Sequence, residues 1–228
     1  MRPYEIIKPG LVDYKEAWDM QKQIFNDLIA SKKDGTSSPM ALILLEHPHV
    51  YTMGIHGNQN NILFSPDLLK SIDASFYNIE RGGDVTYHGP GQLVGYPILD
   101  LEYFKIGIKE YIHRIEEAVI KTIAHYGIKG DISKNAVGVW IDSETPQARK
   151  ICAIGVKVSR FATMHGFALN VTTDLDYYRY INPCGFIDKG VTSIGKETGL
   201  SPSVEEVSNV FQKHFEELFL VSANILII

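Results

Sequence analysis

Cys184 lies in the stretch Ile181-Asn182-Pro183-Cys184-Gly185-Phe186, which reads as a turn rather than a strand or helix. Pro183 restrains the approach to the thiol, and Gly185 leaves no side-chain bulk beside it. A thiol placed this way is open to a substrate, and the N–H groups of the turn are available to a developing oxyanion. The other cysteine, Cys152, falls inside Ile151-Cys152-Ala153-Ile154, where the expected role is that of a small core residue. Cys184 is therefore the candidate nucleophile, but a turn cysteine also needs a base and a pocket before it can do covalent chemistry.

The candidate base is Lys150. The run Arg149 to Ser159 alternates with period two, so Lys150, Cys152, Ile154 and Val156 are expected on one face and Lys157 on the other. A lysine leading an apolar face either snorkels from the strand end or is partly desolvated. In the second case burial disfavours the ammonium and leaves an amine that exchanges protons near neutrality.

The candidate pocket starts from Arg81-Gly82-Gly83-Asp84-Val85-Thr86-Tyr87-His88-Gly89-Pro90-Gly91-Gln92, a short strand with glycines on both sides. It lacks the Gly-Lys-Ser/Thr ending of a phosphate-binding loop and does not fit the dinucleotide fingerprint. An ordinary hairpin is one reading. Arg81 and His88 favour the other, in which the strand brings a guanidinium and an imidazole into one cleft. His165 opens a further apolar run, Gly166-Phe167-Ala168-Leu169. His47, His49 and His56 match no zinc spacing and neither cysteine has a CxxC partner, so no metal is expected.

Three segments must carry these residues as helices, because their apolar positions recur at three and four: Tyr14 to Ala30, Ile108 to Tyr126 and Val204 to Leu220. Ser203 followed by Glu206 has the spacing of a capping box. Strands are expected at Ala41 to Glu46, Ser75 to Ile79, Val85 to His88, Leu93 to Leu99, Val137 to Ile141, Ile151 to Ser159 and Gly166 to Val171. Helices punctuating clusters of strands, without strict βαβ alternation, predict an α+β fold with a mixed, mainly antiparallel sheet and packed helices. No repeat or long linker divides the chain, so one domain over residues 1–228 is expected.

The composition narrows the class. A 228-residue chain that is 45% hydrophobic can bury a sizeable core, and its formal net charge of -5 gives no basic face for nucleic acid. No apolar run approaches the ~20 residues that span a bilayer. The first residues lack a signal or transit pattern, and the protein is expected to be cytoplasmic, without membrane contact and monomeric.

These motifs together resemble the lipoyl(octanoyl) transferase family. The likeness begins at Leu11-Val12-Asp13-Tyr14, passes through Leu45-Glu46-His47-Pro48, and is densest in Arg81 to Gln92, Lys150 to Asn170 and Asn182-Pro183-Cys184-Gly185. The resemblance implies a fold shared with the biotin and lipoate protein ligase catalytic domains. It also implies an acyl thioester on Cys184, with Lys150 lowering the thiol's pKa and shuttling protons. The family's acyl pocket falls on Arg81, Gly82, Gly83, Asp84, Val85, Thr86, Tyr87 and His88, on Ala153, Ile154 and Gly155, and on Gly166, Phe167 and Ala168. The expected donor is octanoyl-acyl carrier protein, whose phosphopantetheine carries the acyl group, so the enzyme itself needs no cofactor. The expected acceptors are the lipoyl domains of 2-oxoacid dehydrogenase complexes and the glycine cleavage H protein. His88 or His165 would polarise the thioester carbonyl or position Lys150.

Overall fold

The computed structural model describes residues 4–134, 136–182 and 190–220; Cys184 and its neighbours from 183 to 189 lie outside the described residues. The chain opens with β1 (Tyr4–Leu11), α1 (Tyr14–Asp34), β2 (Met40–Glu46) and β3 (Val50–Met53). It continues through α2 (Pro66–Ser71), β4 (Ser75–Asn78), β5 (Val85–His88), β6 (Gln92–Ile98) and α3 (Ile108–Ala124). The remainder is β7 (Asp131–Ile132), β8 (Val139–Ile141), β9 (Arg149–Ser159), β10 (Ala162–Asn170), β11 (Gly190–Val191), α4 (Ile194–Thr198) and α5 (Val204–Phe219).

The larger sheet runs β1-β2-β6-β10-β9-β8-β7, with β11 added alongside β9. Its centre is antiparallel, while β1 with β2 and β11 with β9 pair in parallel. A smaller sheet, β4-β3-β5, holds the strand of the glycine-rich motif. The fold is α+β with a mixed, mainly antiparallel sheet, as the punctuation of strands by helices predicts.

The helices form where the apolar periodicity places them. Asp13 caps α1 by accepting the Lys15 N–H at 2.8 Å, and Gly35 ends it at φ 69°. Ser203 and Glu206 form the reciprocal capping box of α5. Helix α1 packs on β10, β6 and β2, whereas α3 and α5 pack on one another and on the sheet, with Phe211 of α5 4.3 Å from Phe167 of β10. Burying such apolar faces stabilises the fold by about 25 cal/mol per Å². No helix among the described residues is long and apolar enough to cross a membrane.

Two features of β9 and β10 position the site. The pairing of β8 with β9 slips between Val139 and Trp140, which face Cys152 and Lys150, so Ile151 is an extra residue on β9. The slip breaks the strict alternation that would put Lys150 and Cys152 on one face. Cys152 instead enters the main core and is fully buried, a setting that pushes its thiol well above the usual range. The second feature is length. β9 pairs with β10 from Cys152 to Ser159, but β8 covers it only from Arg149 to Cys152. Beyond that point Gly82 approaches β9, its N–H donating to the Val156 carbonyl at 2.9 Å.

Candidate functional site

A cavity of about 500 Å³ lies between the glycine-rich loop, β9 and β10. That volume is in the range of small-ligand sites. Its wall includes Lys150, Ala153, Ile154, Gly155 and Val156 of β9, and His165, Gly166, Phe167 and Ala168 of β10. From the glycine-rich segment it takes Arg81, Gly82, Gly83, Asp84, Val85, Thr86 and His88. Consecutive residues 153–156 can all reach it because this part of β9, past the end of β8, presents its edge as well as a face.

Tyr87 is the one described residue of the expected set outside this lining. It packs in the second core with Tyr51, Met53, Val85 and Ile181, stacks on Tyr177 at 5.0 Å, and hydrogen-bonds its hydroxyl to His49 Nδ1 at 2.8 Å. Thr86 and His88 turn the other way, as alternation along a strand requires.

Close backbone approach shapes the slot. Gly83 holds φ at 93°, a left-handed value suited to glycine. Its loop is stitched to the segment after β3 by Ile55 N–H to Arg81 O at 3.0 Å and His56 N–H to Gly83 O at 3.2 Å. Asp84 steadies the same loop: its carboxylate accepts the Asn58 N–H at 3.0 Å, the Val85 N–H at 2.7 Å and the Asn61 amide.

The two ends of the cavity differ chemically. At one end the Lys150 ammonium lies 4.6 Å from the centroid of the Trp140 indole, a cation–π contact with a residue that also lines the wall. Gly138, at φ 120°, comes so close to β9 that a Cβ there would stand 2.5 Å from the Cys152 carbonyl oxygen, and its N–H donates to the buried Glu116 carboxylate at 3.0 Å. Burial raises the pKa of Glu116. Gly190 and Val191 of β11 pair with Arg149 and Lys150 and complete this end.

At the other end Arg81 is buried and donates from Nη2 to the Thr52 carbonyl at 2.7 Å and to Thr52 Oγ1 at 3.0 Å. His88 is buried, with Nδ1 2.9 Å from the Gln92 side-chain oxygen, which makes Nδ1 the donor. Burial, then the neighbouring His47, push its pKa down to about 3. His47 bonds the Val12 carbonyl and the Tyr96 hydroxyl, each at 2.7 Å, and burial lowers it to about 4. His165 is buried and lowered to about 3 by desolvation and by the positive charges of Arg81 and Lys157. The imidazoles at this end are thus neutral at physiological pH.

His165 pairs with Val156, six residues along β9 from Lys150. At ~3.3 Å per residue that is a separation of ~20 Å, too far for His165 to position Lys150 directly. His49 joins the aromatic cluster of the second core rather than His47, stacking on Tyr177 at 4.1 Å. Among the described residues no three His, Cys, Asp or Glu side chains gather as a metal site.

Further lining residues escape reading from local sequence. Trp140 faces Lys150 only through strand pairing, and Tyr14 arrives from α1, Tyr96 from β6, and Ile108 and Ile112 from α3. Tyr14 had one usable signal, its place at the start of an amphipathic helix.

The geometry has counterparts among known proteins. The chain is 54% identical over 198 residues to an octanoyltransferase of Bacteroides thetaiotaomicron, covering 87% of each chain. It is 50% identical over 222 residues to an octanoyltransferase of Christiangramia forsetii, covering 94% of this chain and 95% of that one. In structure it resembles a bipartite lipoate protein ligase of Thermoplasma acidophilum with a TM-score of 0.67 at 18% identity, over 96% of this chain and 84% of that one. The family model of the lipoyl protein ligase A/B catalytic domain matches residues 13–216, a span that holds both ends of the cavity. With that span and those relatives, the chain belongs to the lipoyl protein ligase A/B catalytic domain family, on its octanoyltransferase branch.

Proposed function

We propose that the protein transfers an octanoyl group from the phosphopantetheine thioester of an acyl carrier protein to a lysine of a lipoyl domain, through a thioester on Cys184. The acceptors are the lipoyl domains of 2-oxoacid dehydrogenase complexes and the glycine cleavage H protein. The observation that carries this reading is a largely apolar cavity with a lysine, Lys150, at one end. It agrees with the activity named for relatives at 54% and 50% identity. Val191 pairs with Lys150, and Cys184 precedes Gly190 by six residues.

In the first step the Cys184 thiolate attacks the acyl carbonyl and the pantetheine thiolate leaves, taking up a proton. One thioester replaces another, so the step is nearly balanced and needs no ATP or other cofactor. In the second step the acceptor amine attacks the Cys184 thioester, an amide forms, and the cysteine sulfur leaves. Lys150, as the neutral amine, takes the thiol proton before the first step and the proton of the attacking amine in the second. Ile154, Phe167 and Ala168 give the cavity an apolar lining for an unbranched chain, and each buried methylene contributes ~0.8 kcal/mol.

The test is the intact mass of the protein after incubation with octanoyl-acyl carrier protein without ATP. The expected result is an octanoyl adduct, removed by hydroxylamine, in the wild type and in Cys152→Ala but not in Cys184→Ala. Transfer only from free octanoate with ATP would replace this reading with that of a ligase.

A further inference from the structure

We infer that Glu197 is a positioning residue for Lys150. Its one carboxylate, gripped by Arg149 and bonded by the Thr192 hydroxyl, fixes the lysine's peptide from two directions and so holds the amine in the orientation that proton transfer requires. The inference rests on the proposed function for the role of Lys150 as the base.

Arg149, the residue before Lys150, donates from Nε to Glu197 Oε1 and from Nη2 to Oε2, each at 2.6 Å. Such a paired fork fixes direction as well as distance. Oε1 also accepts the Thr192 hydroxyl, and the Thr192 N–H donates to the Lys150 carbonyl at 2.9 Å. Glu197 thus holds both the neighbour of Lys150 in the chain and its neighbour across the sheet. Asp142 pairs with Arg149 too, at 2.6 Å, but its side chain is 54% exposed, against 16% for Glu197. Exposed pairs contribute little. The fork from Arg149 holds the Glu197 carboxyl below its usual pKa, so it is charged at neutral pH.

Regular pairing does not fix Lys150. On the β8 side the ladder slips directly after it, at Ile151, and a bulge bends and twists its strand. On the other side β11 is only two residues long, Gly190 and Val191, parallel to Arg149 and Lys150. So short a parallel pair is weak by itself. Thr192 follows β11 and directly precedes the Ser193 N-cap of α4, the helix that carries Glu197. The fork therefore fastens β11 to β9 from outside the sheet. The Thr192 carbonyl also accepts the Asn170 side-chain amide at 2.9 Å, and Asn170 lines the cavity, which ties the clamp to the wall. An amine at the end of a four-carbon stem is displaced by any tilt of the peptide beneath it.

The test is the pH profile of Cys184 alkylation by iodoacetamide, read by mass on the full chain carrying Cys152→Ala, with Glu197→Gln, Lys150→Ala and both together. Glu197→Gln is expected to raise the midpoint towards the ~8.5 of a free thiol, by about half the rise caused by Lys150→Ala, and to add nothing once Lys150 is alanine. Loss of a negative charge alone acts the other way, because it favours the thiolate. A midpoint unchanged or lowered in Glu197→Gln, or a further rise in the Lys150→Ala background, overturns the inference. Arg149→Lys, which keeps the charge but not the fork, is expected to raise the midpoint as well, and it decides the matter if Glu197→Gln does not fold. In octanoyl transfer by Glu197→Gln, kcat is expected to fall about tenfold with KM for the octanoyl-carrier protein within about twofold of wild type; a loss carried by KM alone also overturns the inference. A Lys150→Ala profile that coincides with the wild type removes Lys150 as the base, and the proposed function falls together with this inference. A profile moved by Lys150→Ala but not by Glu197→Gln sinks the inference alone.

Discussion

Gly155 faces the backbone of Gly82 so closely that a Cβ on Gly155 would stand 2.8 Å from the Gly82 carbonyl oxygen and 3.0 Å from Arg81 Cδ. The loop on one wall of the cavity and the strand on the other touch there with no side chain between them. Gly155→Ala forces the loop outward, and overpacking of this kind costs ~1–3 kcal/mol. Octanoyl transfer is expected to fall by about tenfold or more, since misplacement by ~1 Å can cost a hundredfold. Steady-state kinetics beside a thermal melt checks it; wild-type rates in the variant would show that the loop is not held against β9.

Stability is expected to fall as the solution is acidified from pH 6.5. His47, His88 and His165 titrate near 6.5 in the unfolded chain but are lowered to about 4, about 3 and about 3 in the folded protein. Between those values the unfolded state binds more protons than the folded one, so their contribution is fully present above 6.5 and is lost on descent towards 4 and then 3. Each imidazole contributes up to ~1.4 kcal/mol per pH unit in that window. Denaturant midpoints at pH 7, 6 and 5 measure the slope. A flat profile would mean that the three rings are not buried as neutral groups.

Tyr87 is expected to matter for the fold and not for the acyl chain. Tyr87→Phe removes the hydrogen bond to His49 Nδ1, a loss of ~1 kcal/mol, while leaving the cavity lining intact. The ratio of octanoyl to decanoyl transfer should match the wild type. A changed ratio would place the ring in contact with substrate.

The β9–β10 turn is open to improvement. Arg160 and Phe161 occupy its two central positions at φ 50° and 63°, between the paired Ser159 and Ala162. Two-residue turns of this shape favour Asn-Gly. Lys32 compensates in part, donating to the Arg160 carbonyl at 2.9 Å while paired with Asp100 at 2.6 Å. Replacing Arg160 by Asn and Phe161 by Gly is expected to stabilise the protein by ~1 kcal/mol, raising Tm by ~2–4 °C. Differential scanning calorimetry reads this directly, and a lowered Tm would give the Phe161 ring, whose centroid lies 5.6 Å from Lys32 Nζ, more weight than the backbone.

Periodicity in the sequence located α1, α3 and α5 because each buries one apolar stripe, and it placed β5 at Val85–His88 because turn residues bound that run on both sides. It missed β1, where Pro9 and Gly10 interrupt the apolar pattern and the pairing shifts register between Ile7 and Gly10. It also missed β3, only four residues long. The motif residues around Arg81, Lys150 and His165 were legible as types, since glycines, a guanidinium and imidazoles stand out locally. Their arrangement was not. The slip at Ile151, the cover of β9 by Gly82 and the meeting of Trp140 with Lys150 depend on pairings between distant segments that leave no local trace. Tyr87 was expected in the pocket with its neighbours, although alternation within Val85–His88 turns it away from Thr86 and His88.

The early end of β8 also bears on how this site can be remodelled. Where β8 stops, β9 is met by the peptide backbone of the glycine-rich loop. A passage bounded by main chain has its bore set by hydrogen-bond lengths that few substitutions can alter. Freedom to retune the enzyme is therefore concentrated at the two ends of the cavity, around Trp140 and around Tyr14, where side chains form the boundary. Libraries that vary those positions and leave the middle untouched are the economical route to new acyl preferences.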